Sequence, residues 1–204
     1  MIIELTGLSG TKIQSKDSVV LLSPPSQKNG AKPGRMKADC VVLGTPFDKI
    51  NVDPLHERLF IIDSPGEYEQ SGIFVYCAQN PEKGKAESLM SLIKIEGVLV
   101  AHLANINHKL DEKDIELFEG ADVLMLPVGG RDVIDAKAAK ETVEIIEPRI
   151  VIPMHFAGKN EKNTYDDISK FFKELGVSPE PKDKAKITKS DLPQDTMGVI
   201  YLNI

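Results

Sequence analysis

The stretch Gly120–Phe156 reads GADVLMLPVGGRDVIDAKAAKETVEIIEPRIVIPMHF. Its two apolar runs, Val123–Val128 and Arg149–Pro153, have the length and composition of buried strands. Between them lies an amphipathic segment that predicts a helix beginning near Ala136. His155 follows the C-terminal end of the second run, which is a position typical of a metal ligand or an acid–base group. The partners of His155 elsewhere in the chain therefore decide the chemistry that this segment supports.

Length and charge favour an acidic, globular chain. The 204 residues predict one domain spanning positions 1–204, with enough volume for a sizeable core. The formal net charge of −6 gives no electrostatic reason to expect nucleic acid or an anionic membrane as a partner. The expected partner is a small molecule or a protein that the sequence does not identify, and a homo-oligomer is compatible with the pattern.

The two cysteines and the chain's apolar runs point to an intracellular protein without a redox centre. Cys40 and Cys77 lie far apart, each inside an apolar run, and are interpreted as small buried hydrophobic residues. The sequence shows no secretion signal and no apolar run of the roughly 20 residues that span a bilayer. Cytoplasmic residence is the expectation.

The order of the predicted elements favours sheets covered by helices. Eight short runs rich in Val, Ile and Leu, bounded by turn residues, predict strands in the first half. They are Ile2–Leu5, Thr11–Gln14, Ser18–Leu22, Val41–Leu43, Leu59–Ile62, Ile73–Tyr76, Ser91–Ile95 and Val98–Ala101. After Leu103, helices following Asp111 and Asp135 and a helix over Ile168–Leu175 alternate with strands. The stretches Gln27–Met36 and Gln79–Lys85 are predicted to be exposed loops.

Several motifs resemble the metallo-β-lactamase superfamily, especially its small zinc-dependent hydrolase branch, which is similar to ascorbate-6-phosphate lactonases. They are the opening hairpin LTGLSGTKIQSKDSVVLLSPP, the PGEYE turn at residues 65–69, HLANINH at 102–108, and RIVIPMHF at 149–156. The resemblance covers nearly the whole chain. It implies an α/β fold in four αββα layers, with two mixed sheets face to face, helices outside and a site at one edge of the sheets.

The chemistry of that superfamily requires a cluster of metal ligands, which begins with an HxHxDH loop after an early strand. The corresponding strand here leads into residues 44–50, which read GTPFDKI. In the natural register Thr45, Phe47, Lys49 and Ile50 occupy the positions of His, His, Asp and His. Phe and Ile cannot ligate a metal, and a lysine would place positive charge where the cation belongs. The resemblance therefore implies that the first ligand group is missing.

The remaining ligand positions also lack most of the family's metal-binding side chains. The metal-bridging Asp of the family's HLGD motif corresponds to Asn105, a neutral amide. His155 matches the last ligand, while His102 matches a histidine that flanks the Asp. One imidazole and one amide do not bind zinc tightly, because affinity comes from several preplaced ligands. No metal is expected; if one binds, it would be zinc or manganese at His155.

Three functions remain open from the sequence. The preferred hypothesis is a protein of this fold that has lost the metal-dependent hydrolase site and acts as a non-catalytic binding or assembly module. A second is a metal-dependent hydrolase of a small ester or (phospho)sugar lactone with an atypical site. A third is a metal-free acid–base enzyme that uses His102 or His155. In each case the predicted pocket is lined by Thr45, Phe47, Lys49, Asn105 and His108.

Overall fold

Seventeen strands and three α-helices form the parts of the chain that this computed structural model describes, which are residues 1–27, 33–45, 49–80, 88–158 and 164–204. The first nine strands are β1 (Ile2–Leu5), β2 (Thr11–Gln14), β3 (Val19–Leu22), β4 (Met36–Ala38), β5 (Cys40–Val42), β6 (Val52–Pro54), β7 (Phe60–Ile62), β8 (Gly66–Gln70) and β9 (Ile73–Asn80). The later strands are β10 (Ser88–Ile95), β11 (Val98–His102), β12 (Val123–Pro127), β13 (Ile150–Met154), β14 (Pro181–Lys182), β15 (Ala185–Lys186), β16 (Gly198–Val199) and β17 (Tyr201–Leu202). The helices are α1 (Glu112–Phe118), α2 (Ala136–Ile146) and α3 (Ser169–Leu175).

Two mixed sheets hold most of these strands. The first sheet has the order β15-β1-β2-β3-β5-β7, and the second has the order β16-β13-β12-β11-β10-β9-β8. Strands β11, β12 and β13 run parallel, so their C-terminal ends lie at one edge of the second sheet. Strand β10 is antiparallel to β11, and its first residues therefore lie at that same edge. We call this edge the site edge.

The inner faces of the two sheets form the main core. Fully buried Ile13 and Val20 of the first sheet belong to the same apolar cluster as Ile93 and Val123 of the second. Alternate residues of each strand point inward, as the two-residue period of a strand requires. Burial of this apolar surface is the principal stabilising contribution to the sandwich.

The outer faces of the two sheets are covered in different ways. Phe118, Ala139 and Phe171 from the three helices pack in one cluster with Leu124 and Leu126 of the second sheet. The outer face of the first sheet is covered instead by strands β4 and β6, which pair in parallel. In the described ranges, all three α-helices belong to the cluster on the second sheet.

Helix α2 begins at a side-chain cap. The carboxylate of Asp135 accepts a hydrogen bond of 2.9 Å from the backbone N–H of Ala138. Its buried residues recur at helical spacing and include Ala139, Val143 and Ile146, which produces the apolar face that the sequence predicted. Throughout the described part of the chain, no helix combines the length and apolar character needed to cross a membrane.

Substitution Asp135→Ala should lower the free energy of unfolding by about 1 kcal/mol, because the first turn of α2 would lose its cap. Urea denaturation monitored by circular dichroism measures the change. The matched control is Lys137→Ala, an exposed position in the same turn, which should change the unfolding free energy by less than about 0.5 kcal/mol. Equal effects of the two substitutions would contradict the role of the cap.

The predicted α/β class with two mixed sheets face to face is confirmed, whereas in the described ranges the outer layer on the first sheet consists of β4 and β6 and not of a helix. Three local expectations also need correction. Residues 66–70, interpreted as a turn, form edge strand β8 paired with β9. Met36, placed at the end of a loop, begins β4, and Gln79 and Asn80 belong to β9 rather than to a loop. Strand β4 is short, β8 is polar and β9 ends in two polar residues, so the period-2 apolar pattern does not identify these positions.

Candidate functional site

The turn between β1 and β2 contacts the site edge through its backbone. The carbonyl oxygen of Leu8 accepts a 2.7 Å hydrogen bond from the backbone N–H of His155. The carbonyl oxygen of Ser9 lies 3.0 Å from Nε2 of His102. Both histidines are buried, with exposed fractions of 1% for His102 and 6% for His155. The structure therefore brings the two predicted catalytic histidines together around one turn of the first sheet.

Ser9, Asn105 and His155 form a closed triangle of polar side chains. The Ser9 hydroxyl lies 2.6 Å from Asn105 Oδ1 and 2.7 Å from His155 Nδ1. Nδ1 of His155 lies 3.1 Å from the same Asn105 oxygen. Since Asn105 Oδ1 can only accept, the arrangement is satisfied when the Ser9 hydroxyl donates to Asn105 and His155 carries its proton on Nδ1. We call these three residues the Ser–Asn–His cluster.

The proton on Nδ1 leaves Nε2 of His155 as an acceptor. This atom is buried and has no hydrogen-bond partner among the described residues. Burial lowers the pKa of His155 to about 4, and the nearby charge of Asp132 opposes this shift. The imidazole and the ring of Tyr165 pack in a T-shaped arrangement, with ring centroids 4.6 Å apart. His155 is therefore neutral at physiological pH.

His102 is held in a different way. Its Nε2 donates to the carbonyl oxygen of Ser9, so this nitrogen is not available as a ligand. Burial is the main cause that lowers its pKa to about 4, and the hydrogen bond to Ser9 opposes the shift. His102 acts as a neutral donor that fixes the Ser9 turn on the second sheet.

The backbone at the site edge depends on a close approach of two loops. An added Cβ at Gly129 would lie 2.2 Å from the carbonyl oxygen of His155, which is far inside van der Waals contact. His155 itself has a φ of 53°, in the left-handed region that is uncommon for residues other than glycine. The absence of a side chain at Gly129 therefore allows the loop after β12 to lie directly against the backbone of His155.

The other predicted lining residues divide into three groups. Phe47 lies outside the described residues. Thr45 is half-buried beyond the end of β5, whereas Lys49 is exposed and its carbonyl oxygen accepts the N–H of Gln27. Ile50 packs with the cluster on the outer face of the first sheet. That Lys49 lines the pocket stays a prediction.

His108 belongs to a second polar group near the site edge. Its Nε2 lies 2.7 Å from Oδ1 of the fully buried Asn80, and its Nδ1 lies 2.8 Å from the carbonyl oxygen of Lys109. The amide of Asn80 donates in turn to Ser88 at 3.0 Å. Both ring nitrogens of His108 are thus occupied by its own neighbours.

Among the residues that the structure describes, the donor set does not fit a resident divalent metal ion. Three or more preplaced ligands are needed for tight binding. Within the described ranges, no group of three His, Cys, Asp or Glu residues is arranged to hold a metal. Nδ1 of His155 is engaged by Ser9 and Asn105, and Nε2 of His102 is engaged by a carbonyl. The acceptor that remains at this position is Nε2 of His155.

Ser9 is the site residue that sequence reasoning missed. The serine lies within the opening hairpin, and no motif marks it as functional. Its role depends on contacts with residues 96 and 146 positions away in the chain, which local pattern does not reveal.

Comparison with known sequences gives relatives over part of the chain. Residues 3–155 match the β-lactamase superfamily domain. A Pyrococcus horikoshii protein described as a UPF0173 metal-dependent hydrolase is 33% identical over 132 residues, covering 64% of this chain and 51% of that protein. A Pyrococcus abyssi protein of the same description is 34% identical over 101 residues, covering 47% and 40%. The chain spans about half or less of the length of these curated relatives.

Comparison with solved structures gives the fold over the whole chain. A Thermotoga maritima protein described as belonging to the metallo-β-lactamase superfamily has a TM-score of 0.84 at 23% identity, covering 100% of this chain and 99% of that one. YhfI of Bacillus subtilis, a metallo-β-lactamase fold protein, has a TM-score of 0.64 at 10% identity, covering 98% and 95%. At these identities the likeness establishes the fold alone. Together with the match over residues 3–155, it shows that the chain belongs to the β-lactamase superfamily and has the metallo-β-lactamase fold.

Proposed function

We propose that this protein has lost the metal-dependent hydrolysis for which its relatives are named and acts, at its site edge, as a non-catalytic binding or assembly module. One observation carries the proposal: the side chains at two ligand positions of the family, Asn105 and His155, bond to each other and to Ser9. The Ser–Asn–His cluster closes within 3.1 Å and leaves Nε2 of His155 as its free acceptor. A metal ion held by one imidazole nitrogen would exchange readily with solvent.

The protonation pattern also argues against the metal-free acid–base alternative. A catalytic serine must give its proton to the base, but the Ser9 hydroxyl donates to Asn105 in the satisfied arrangement. Ser9 and His155 are both more than nine-tenths buried, which restricts access of a substrate. Nε2 of His102 donates its proton in a hydrogen bond to a backbone carbonyl oxygen. These contacts support a structural rather than a catalytic role for the two histidines.

Hydrolase assays test the proposal against the activity that the relatives' names suggest. The purified protein is assayed with two anionic substrates, bis(p-nitrophenyl) phosphate and a phosphorylated sugar lactone, in the presence of Zn²⁺ or Mn²⁺ and again with a chelator. We expect rates equal to those of buffer with the same metal. A metal-dependent rate that disappears in His155→Ala but persists in the matched variant His108→Ala would overturn the proposal.

A further inference from the structure

A second polar cleft lies at the end of the sandwich opposite the site edge. Asp39 immediately precedes β5, whose C-terminal end points toward the site edge, so Asp39 lies at the far end. The cleft has a volume of about 600 Å³. It is lined by Asp17, Ser18, Asp39, His56, Glu57, Arg58, Gln70 and Ser71. None of these residues belongs to the Ser–Asn–His cluster.

Asp39 is a buried carboxylate with both oxygens engaged. Asp39 is 7% exposed, and its Oδ2 accepts a hydrogen bond of 2.8 Å from the backbone N–H of Val19. Oδ1 lies 2.6 Å from Nδ1 of His56. Burying a carboxylate is costly unless its oxygens are satisfied, and here a backbone N–H and an imidazole satisfy them. The carboxylate therefore fixes the orientation of the His56 ring.

His56 presents its other nitrogen to solvent. Its side chain is 65% exposed, and the contact with Asp39 places the ring proton on Nδ1. Nε2 is then a lone-pair acceptor directed away from the buried carboxylate. A carboxylate that fixes the tautomer and steadies the imidazolium is the arrangement found behind histidine bases. The fixed orientation distinguishes His56 from a freely rotating surface histidine.

The charged residues that line the cleft determine which ligands it favours. Three carboxylates, from Asp17, Asp39 and Glu57, face one guanidinium, from Arg58. The excess of negative charge disfavours anionic ligands and leaves neutral ones unhindered. Ser71, with a φ of 53°, and Gly72, with a φ of 77°, form the two-residue hairpin turn between β8 and β9, which places Ser71 in the lining of the cleft.

We propose that this cleft is a second site, in which His56 is a general base for the hydrolysis of neutral esters and Asp39 is its positioning residue. Nε2 of His56 takes a proton from a water molecule as the water oxygen bonds to the ester carbonyl carbon. The imidazolium, stabilised by Asp39, then returns that proton to the departing alcohol oxygen as the carbon–oxygen bond breaks. The products are one acid and one alcohol, and no oxidant or reductant takes part.

The test compares hydrolysis of p-nitrophenyl acetate by the parent protein and three variants. His56→Gln should lower kcat/KM by at least about tenfold, since a positioned base contributes more than this. Asp39→Asn should lower kcat with little change in KM, because the base would lose its orientation but the walls would remain. Lys113→Gln, which changes an exposed residue of α1 outside the cleft, should leave the rate within about twofold. The anionic p-nitrophenyl phosphate should not be hydrolysed.

A second measurement keeps the proposal testable where Asp39→Asn does not fold. Two-bond proton–nitrogen correlation spectra of the parent protein report which ring nitrogen of His56 is protonated, and we expect Nδ1. The proposal is overturned by a proton on Nε2, by a parent rate equal to that of buffer, or by a His56→Gln rate within twofold of the parent. It is also overturned if Asp39→Asn folds and retains the parent kcat.

Discussion

The free energy of unfolding should fall by about 3 kcal/mol for each of His102 and His155 as the pH is lowered from 7 toward 4. Burial lowers the pKa of both imidazoles to about 4, from 6.5 for an ordinary histidine. Between these two values the unfolded chain binds the protons and the folded chain does not. Protonation therefore draws the equilibrium toward the unfolded state. The contribution is fully present above pH 6.5 and is lost as the pH falls toward the folded-state pKa.

Urea unfolding measured at intervals from about pH 7.5 to about pH 4.5 tests this expectation. Side-chain carboxylates titrate mainly below that range, so they contribute little to the change in stability. The double variant His102→Gln/His155→Gln supplies the comparison, because it removes both titrating groups while keeping polar side chains at both positions. It should be less stable than the parent at neutral pH, and its stability should depend less on pH. Parallel curves for the parent and the double variant would show that the buried imidazoles do not govern the acid sensitivity.

Substitution Gly129→Ala should destabilise the protein by about 3 kcal/mol or more. The new Cβ would lie 2.2 Å from the carbonyl oxygen of His155, and a backbone oxygen cannot rotate away as a side chain can. The two loops must therefore separate. The backbone bond by which the Gly129 carbonyl accepts the N–H of Asp166 would be strained in the same movement.

The control for Gly129→Ala is Gly34→Ala. A Cβ at Gly34 would meet nothing within 4 Å, and its φ lies outside the left-handed region. Thermal and urea unfolding of the two variants separate the steric overlap from the general effect of replacing glycine. Gly34→Ala should leave stability within about 1 kcal/mol of the parent. A Gly129→Ala protein as stable as the control would show that the loops at the site edge adapt without cost.

Apolar pattern was sufficient to predict the strands that build the core. Ile2–Leu5 and Thr11–Gln14 have the predicted bounds in the structure, and the strands on either side of α2 lie within one residue of prediction. These segments succeed because their side chains alternate between a buried face and another environment, or are buried on both faces. Strand β8 was not predicted, because an edge strand with glutamates at positions 67 and 69 resembles a polar turn.

The candidate site was only partly predictable. His155 follows β13 as expected, since the C-terminal end of a parallel strand can be located from its apolar run. The placement of Asn105 beside it followed from the family resemblance, and a 3.1 Å contact joins the two. The participation of Ser9 depends on how the first sheet packs against the second. Packing of this kind arises from long-range contacts that no local window of sequence contains.

The central claim, that the site does not retain a metal ion, is tested most directly by the metal content of the purified protein. The parent protein and His155→Ala are both produced in medium that contains Zn²⁺ and Mn²⁺, and are then desalted. Their metal content is measured by inductively coupled plasma mass spectrometry. We predict far less than one equivalent of either metal in the parent and no difference from the variant. Stoichiometric zinc or manganese that is lost in His155→Ala would contradict the claim.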